Sequence, residues 1–181
     1  NAQGFSCFAA SIDPVGSAWD RACELYAQLT GTVVDYGAVH AAQNKHNRFG
    51  TDYSANPLIT GWGPTKRVNF IAHSFGGATV RLLAELMANG SAQEVNGTTG
   101  SVSNLFTGGK SGWIKSITAL ASPHNGTTMT NISKPVAVIL PKDGEKIVGV
   151  SEESSIAIIS YLKNLTKLFT NGVGKDTGVY D

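Results

Sequence analysis

Residues 67–90 of this chain, RVNFIAHSFGGATVRLLAELMANG, decide the fold that the sequence predicts. Residues 67–74 form a short, mostly apolar run that predicts a buried strand. Residues 77–90 carry apolar side chains at helical spacing and end in Asn-Gly, a pair that is typical of a helix C-terminus. The chain is therefore expected to pass from a buried strand into a helix within a few residues, at Ser74.

The turn at Ser74 has the composition of a nucleophile elbow. Ala72 and Gly76 are small residues placed two before and two after the serine, where strand and helix crowd each other. Such a turn lifts the serine hydroxyl clear of the sheet and aims the backbone N–H of Phe75 at a developing oxyanion. This short pattern alone is a weak signal. The alternative is therefore an ordinary strand-to-helix connection in which the serine has no catalytic role. The flanking strand and helix, together with Gly77, favour the functional interpretation.

The pattern outside this stretch predicts further elements in alternating order. They are a β-like segment over 5–12, a helix from a Ser17 cap to about Leu29 that Gly31 ends, and a strand over 113–122. The remaining segments are expected to be irregular over 33–66, with a short helix near 38–43, and a polar loop over 91–112. Strands that alternate with helices predict an α/β fold with a parallel sheet.

Composition excludes several classes of protein. With 181 residues, 41% of them hydrophobic and 15% charged, the chain fits one globular domain with few surface charges. A net charge of +1 without a cluster of Lys and Arg argues against nucleic acid as a partner. No apolar stretch is long enough for a transmembrane segment. The few charges and many Asn, Ser, Thr and Gly indicate a secreted, extracellular protein, and Cys7 and Cys23 are expected to be buried thiols rather than a disulfide.

The chain lacks the partners that a serine nucleophile needs. In an α/β fold with an elbow, the acid and then the histidine follow the serine along the chain. After Ser74 the only histidine is His124, and the acids between them are Glu85 and Glu94. Neither acid follows a later strand, and the position of His124 directly after a neighbouring strand favours a structural role. We therefore expect an incomplete triad, in a chain that is a piece of a larger protein.

Three stretches resemble the large secreted lipases of Gram-positive bacteria, the thermophilic Bacillus-type and staphylococcal group known as family I.5. They are SAWDRACELYAQLTGTVVDYGAVHAAQNKHNRFG (17–50), NFIAHSFGGATVRLLAEL (69–86) and NLFTGGKSGWIKSITALASPHNGTT (104–128). The resemblance covers residues 1–131, whereas residues 132–175 diverge from the family pattern and only the closing VYD is similar again.

The resemblance implies a partial α/β-hydrolase fold and hydrolysis of the carboxylic ester bonds of acylglycerols at an oil–water interface. Ser74 would be the nucleophile that forms an acyl-enzyme intermediate, and the Phe75 N–H would stabilise the oxyanion. The catalytic Asp and His of the family, and its Ca²⁺ site, would follow Asp181. Residues 1–181 would then be an incomplete catalytic domain, completed by a second polypeptide that carries the rest.

Asp20, His40 and His46 match the zinc site of a small extra subdomain in family I.5, here residues 17–50. Imidazole nitrogens and carboxylate oxygens suit tetrahedral Zn²⁺. By spacing alone, two histidines in a polar loop are more often solvent-facing, so the metal prediction depends on the resemblance. The fourth ligand of the family, an Asp, would follow Asp181. Two carboxylates and two histidines leave no open position for a substrate, and we expect a structural role for the metal.

Residues 132–175 lie where the family places its lid, and the pattern predicts an amphipathic helix over 152–171. The apolar stripe of this helix consists of Ile158, Leu162, Leu165 and Phe169. A lid helix covers the acyl pocket in water and exposes its apolar face at a lipid surface. The stripe fits a core-facing helix equally well, and both interpretations stay open.

The function predicted from these features is that of a secreted triacylglycerol lipase with a serine nucleophile. One alternative is a carboxylesterase or polyester depolymerase on the same fold, which differs in acyl-chain preference. The alternative from another class is a catalytically incomplete fragment or a zinc-dependent binding module.

Overall fold

A computed structural model describes residue 4 and residues 6–14 and 16–126 of the chain. The helices are α1 (Ala18–Thr30), α2 (Ala38–Asn44), α3 (Phe75–Asn89) and α4 (Ala92–Gly97), with two short 3-10 helices at Asn104–Thr107 and Ser111–Trp113. The strands are β1 (Val33–Asp35), β2 (Phe49–Asp52), β3 (Val68–His73) and β4 (Ile114–Leu120). All of these elements lie in one compact unit, Asn1–Asn125.

Helix α1 begins and ends at the residues that the sequence predicts. The Ser17 hydroxyl oxygen accepts a hydrogen bond from the backbone N–H of Asp20, which satisfies one donor of the first turn. Gly31 adopts a left-handed conformation with φ 67° and donates its N–H to the Ala27 carbonyl. The face that the apolar spacing predicted is buried, and it consists of Ala22, Leu25, Tyr26 and Leu29.

Strands β3 and β4 pair in parallel, with α3 in the connection between them, so the predicted parallel sheet is confirmed. Facing residues include Phe70 with Ile117 and Ala72 with Ala119. Helix α3 buries Val80, Leu83 and Met87, and packs against both α1 and the sheet. The main core therefore lies between the two long helices and one face of the β3–β4 pair.

The opposite face of the β3–β4 pair is uncovered by the described residues, although the sequence predicted buried strands. Ala72, on the helix side of β3, is buried, but the Ile71 side chain is 78% exposed and that of Leu120 is 50% exposed. Parallel strands are normally covered on both faces, because the helices of their crossovers pack on each side. Large apolar side chains exposed on the face of a parallel sheet are unusual for an α/β domain.

The strand predicted over 5–12 is wrong over the described part of that segment, because residues 6–12 form no strand. A strand needs a neighbouring backbone for its hydrogen bonds. Here the buried side chain of Gln28 takes that place, since its Oε1 accepts from the Ser11 N–H at 3.1 Å and its Nε2 donates to the Ser11 carbonyl.

Several short elements were not predicted. Strands β1 and β2 pair antiparallel within the segment expected to be largely irregular. Helix α4 and the two 3-10 helices lie in the expected polar loop, where Ser91 and Ser103 act as N-caps. Leu105 and Phe106 are buried there and join the core cluster.

Two further expectations concern the cysteines and membranes. No disulfide joins Cys7 and Cys23, and Cys23 is buried as expected, but Cys7 is exposed. Within the described residues, no helix is long and apolar enough to cross a membrane. The expected helix over 152–171, and the whole lid-like region 132–175, lie outside the described residues.

The uncovered sheet face can be tested by a matched pair of truncations in the 181-residue chain. Leu83→Ala should lower the free energy of unfolding by about 2–5 kcal/mol, because Leu83 is 0% exposed. Ile71→Ala should lower it by at most about 1 kcal/mol, because only strand propensity is lost at an exposed position. Urea unfolding measures both changes. An Ile71→Ala effect as large as that of Leu83→Ala would mean that the face is covered in solution.

Candidate active site and metal centre

The backbone at Ser74 has the geometry of a tight strand-to-helix turn. Ser74 lies between β3 and α3 with φ 53° and ψ −130°, a combination that non-glycine residues rarely adopt. Its N–H donates to the Leu120 carbonyl at 2.9 Å, and its carbonyl accepts from the Gly77 N–H at 3.1 Å. Helix α3 begins at the next residue, Phe75, whose N–H is one of the first-turn donors that have no partner within the helix.

The close packing at this turn lies one residue later than the sequence indicated. Gly76 was expected to be small because strand and helix crowd there, but a Cβ added to it would meet only the Ala72 Cβ, at an ordinary 3.8 Å. A Cβ added to Gly77 would lie 2.5 Å from the Ser122 Cβ and overlap the Ser122 hydroxyl. The loop after β4 therefore presses on α3 at Gly77.

Helix α1 reaches the same turn through Arg21. The Arg21 guanidinium carbon lies 4.8 Å from the centroid of the Phe75 ring, a cation–π distance. Burial lowers the pKa of Arg21, with the charges of Glu24 and Asp13 acting in the opposite direction. Its Nε is buried and has no hydrogen-bond partner among the described residues.

The two acids that follow Ser74 in the described part of the chain are engaged elsewhere. The Glu85 carboxylate accepts a hydrogen bond from the Asn89 amide on the same helix, at 2.7 Å. Glu94 lies in α4 and accepts hydrogen bonds from the first turn of α2. His124 is exposed, and its backbone N–H donates to the Ser122 carbonyl. These contacts agree with the expectation that neither acid serves Ser74.

Asp20, His40 and His46 come together as a cluster, although they lie on α1, on α2 and in the loop before β2. One ligand atom from each lies within 4.8 Å of the other two. The His40 Nε2 is 2.9 Å and the His46 Nε2 is 3.7 Å from the Asp20 Oδ1. The three side chains are only partly exposed. Two imidazole nitrogens and a carboxylate oxygen at such separations can be bridged by one tetrahedral ion.

Contacts behind the cluster orient two of its ligand atoms. The Nδ1 of His46 lies 2.9 Å from the Asn47 carbonyl, and because a carbonyl only accepts, Nδ1 is the donor of this contact and Nε2 is the ring nitrogen nearer to Asp20. The Ser17 hydroxyl donates to the Asp20 Oδ2 at 2.7 Å, while Oδ1 faces the histidines. Outer contacts of this kind fix the orientation of metal ligands.

Aromatic side chains enclose the two histidines. The Trp19 ring stacks on His40 with centroids 5.1 Å apart and on Phe106 with centroids 5.4 Å apart. The Trp19 indole N–H donates to the Tyr36 carbonyl at 2.8 Å. The Tyr36 ring lies edge-on to His46, with centroids 5.3 Å apart. Burial, followed by its hydrogen bond to Glu24, raises the pKa of Tyr36, so the phenol stays protonated.

A comparison with protein families finds a match over residues 1–142 to the family described as Lipase-like, C-terminal domain. The chain is 44% identical over 128 residues to lipase 2 of Staphylococcus aureus. This match covers 69% of this chain and 18% of that protein. The chain thus spans about a fifth of the length of this curated relative.

Solved structures with similar folds agree with the family match. The structure of lipase 1 from Pelosinus fermentans has 46% sequence identity and a TM-score of 0.67, and the match covers 72% of this chain and 34% of that chain. The structure of EstA from Clostridium botulinum has 33% identity and a TM-score of 0.74, and the match covers 99% of this chain and 37% of that chain.

The packing at the turn predicts opposite effects for two neighbouring glycines. Gly77→Ala should lower the free energy of unfolding by about 1–3 kcal/mol, because the added methyl overlaps Ser122. Gly76→Ala should leave it unchanged or raise it by up to about 1 kcal/mol, because the methyl has room and alanine favours a helix. Urea unfolding of the two variants measures the difference, and equal effects would refute the assigned contact.

Proposed function

This chain belongs to the family described as Lipase-like, C-terminal domain, and on that premise we propose that it is part of a secreted triacylglycerol lipase that uses Ser74 as its nucleophile. The observation that carries the proposal is the backbone of Ser74. A serine held at φ 53° and ψ −130° between a parallel strand and a helix stores about 1–3 kcal/mol of strain. Such strain concentrates at active sites, where it presents a side chain for reaction.

The proposed reaction is the hydrolysis of an acylglycerol ester in two steps. A histidine takes the proton of the Ser74 hydroxyl as its oxygen attacks the ester carbonyl, and the same histidine gives that proton to the departing alcohol. The acyl group is left on Ser74, and water releases it by the reverse use of the same groups. The Phe75 N–H, at the start of α3, would donate to the oxyanion in both steps.

The histidine and its acid partner are proposed to lie outside this chain, in the rest of the catalytic domain. Two features support this assignment. Glu85 and Glu94 are occupied by contacts away from Ser74. The sheet face that includes the exposed side chains of Ile71 and Leu120 lacks a covering layer among the described residues. A polypeptide that carries the remaining strands and helices would cover this face, and we propose it as the partner of residues 1–181.

We also propose that Asp20, His40 and His46 bind Zn²⁺ as a structural ion of the subdomain 17–50. The donor set fits, since each residue offers one ligand atom and the three atoms already lie within 4.8 Å of one another. A further carboxylate from the rest of the domain would complete the shell. The bound ion would hold α1 and α2 together, and any Ca²⁺ site would lie outside this chain.

The place of action proposed for the enzyme is an oil–water interface outside the cell. On the family resemblance, the role of a lid is assigned to residues 132–175.

Labelling with a fluorophosphonate tests the nucleophile. The complete protein should be labelled at Ser74, and Ser74→Ala should abolish both labelling and lipase activity, with a loss of at least about 1,000-fold in kcat. Ser116→Ala, on β4, is the matched control and should be labelled normally. The 181-residue chain alone should stay unlabelled, because the proposed general base lies outside it. A complete protein that resists labelling would overturn the assignment, and preference for short soluble esters would identify an esterase instead.

Thermal unfolding with and without Zn²⁺ tests the metal site. Zinc at 100 times its Kd should stabilise the native protein by about 2.7 kcal/mol, which raises Tm. His46→Ala should lose most of this zinc-dependent rise, because one of three ligands is removed. His124→Ala removes an exposed histidine outside the cluster and should keep the rise. An equal rise in both variants would show that zinc binds elsewhere.

A further inference from the structure

Glu94 is a buried carboxylate with an unusual set of partners. It lies in α4 and is 2% exposed, yet its two oxygens accept hydrogen bonds from the first turn of another helix, α2. Oε2 accepts from the Val39 N–H at 3.0 Å, and Oε1 accepts from the His40 N–H at 2.7 Å. The hydroxyl of Thr98 is a third, longer donor at 3.4 Å.

Glu94 supplies the cap that α2 lacks in its own sequence. The N-cap residue of α2 is Gly37, which has no side chain to accept a hydrogen bond from the helix. Val39 and His40 are the second and third residues of the helix, and their N–H groups are the ones that an N-cap side chain normally satisfies. An anionic group at this position also interacts favourably with the positive end of the helix dipole.

Glycine at two positions lets the carboxylate approach so closely. A Cβ at Gly37 would lie 2.5 Å from the Glu94 Oε2 and 2.7 Å from Oε1, and φ at this residue is +92°. Gly97, three residues after Glu94, likewise gives space to the Val39 side chain. Helices α2 and α4 therefore meet through a contact in which a carboxylate replaces the missing side chain of Gly37.

The capped residue is itself one of the three cluster residues. The His40 N–H donates to Glu94, its ring stacks on Trp19, and its Nε2 lies 2.9 Å from the Asp20 Oδ1. The backbone of His40 is thus held from one side while its imidazole is directed to the other. A first turn of α2 without this cap would fray, because its N–H donors would lose their acceptor.

We propose that Glu94 is the positioning residue of the metal cluster, which holds His40 in place for the ion before the ion binds. This inference rests on the proposed zinc site and adds a residue that does not contact the metal. Glu94 acts on affinity because a ligand already in position loses less freedom when it binds the metal. Replacement of outer residues of this kind typically reduces metal affinity 10–100-fold.

The test compares the Zn²⁺ affinity of four proteins by competition with a chromogenic chelator. Glu94→Gln keeps the size of the side chain but places an amide NH₂ against an N–H donor, and it should weaken zinc binding by about 10–100-fold. Glu85→Gln makes the same chemical change on the exposed side of α3 and should leave the affinity unchanged. Gly77→Ala should lower stability at the contact with Ser122, away from Glu94, and should leave the zinc affinity unchanged.

Hydrogen exchange in the metal-free proteins gives an independent readout. The backbone amides of Val39 and His40 should exchange faster in Glu94→Gln than in the wild type and in Glu85→Gln. If Glu94→Gln fails to fold, Glu94→Asp keeps the charge but shortens the side chain, and an intermediate loss of affinity is expected.

The outcomes separate the inference from the proposal on which it rests. A wild-type protein that binds no zinc would refute the metal site itself. Zinc binding that is equally tight in the wild type and in the Glu94 variants would overturn the positioning role and leave the metal site intact. A loss of affinity in Gly77→Ala as large as that in Glu94→Gln would also overturn it, because general stability would then explain both.

Discussion

The arrangement of the described residues depends on the corner where β3 passes into α3. The Ser74 N–H donates to the Leu120 carbonyl, so the ladder between β3 and β4 continues up to the residue at which the chain turns. The backbone of Ser74 is strained, and such a conformation persists only where its surroundings over-determine it. The parallel ladder holds one side of the corner, and the contact of Gly77 with Ser122 holds the other. The direction of the Ser74 side chain follows from these two constraints.

Helix α1 connects this corner with the metal cluster. Two consecutive residues of α1 make contacts in different regions. Asp20 faces His40 and His46 in the cluster. Arg21 lies over the Phe75 ring at the corner. The buried face of α1 packs against α3, so a displacement of α1 would move both contacts together. An ion at the cluster would therefore stabilise the helix that supports Phe75, although the ion itself would not contact the reacting groups.

Local signals in the sequence predicted helices α1, α2 and α3, and non-local contacts account for most of what was missed. The ends of α1 and α3 follow from Ser17, Gly31 and Gly90, each of which acts within a few residues. Strands β1 and β2 are three and four residues long, and their pairing carries no turn signal that the sequence would reveal. The segment 6–12 has a strand-like composition, but its backbone bonds go to a glutamine on α1.

In the candidate site, too, features that depend on neighbouring residues were predicted, and features that depend on distant contacts were not predicted from local signals. The elbow at Ser74 was predicted from adjacent residues, although the crowded glycine is Gly77 rather than Gly76. The grouping of Asp20, His40 and His46 was predicted only through the family resemblance, because two histidines in a polar loop carry little information by themselves. Nothing local marks Glu94, since the N–H groups that it caps lie 54 and 55 residues away in the chain.

The proposed incompleteness of the triad and the uncovered sheet face have one physical explanation. In a parallel sheet, further strands extend the ladder and bring their carboxyl ends to the edge where Ser74 lies, while their helices cover the open face. Under this proposal, one layer outside the described residues would both bury Ile71 and carry the acid and base to the serine.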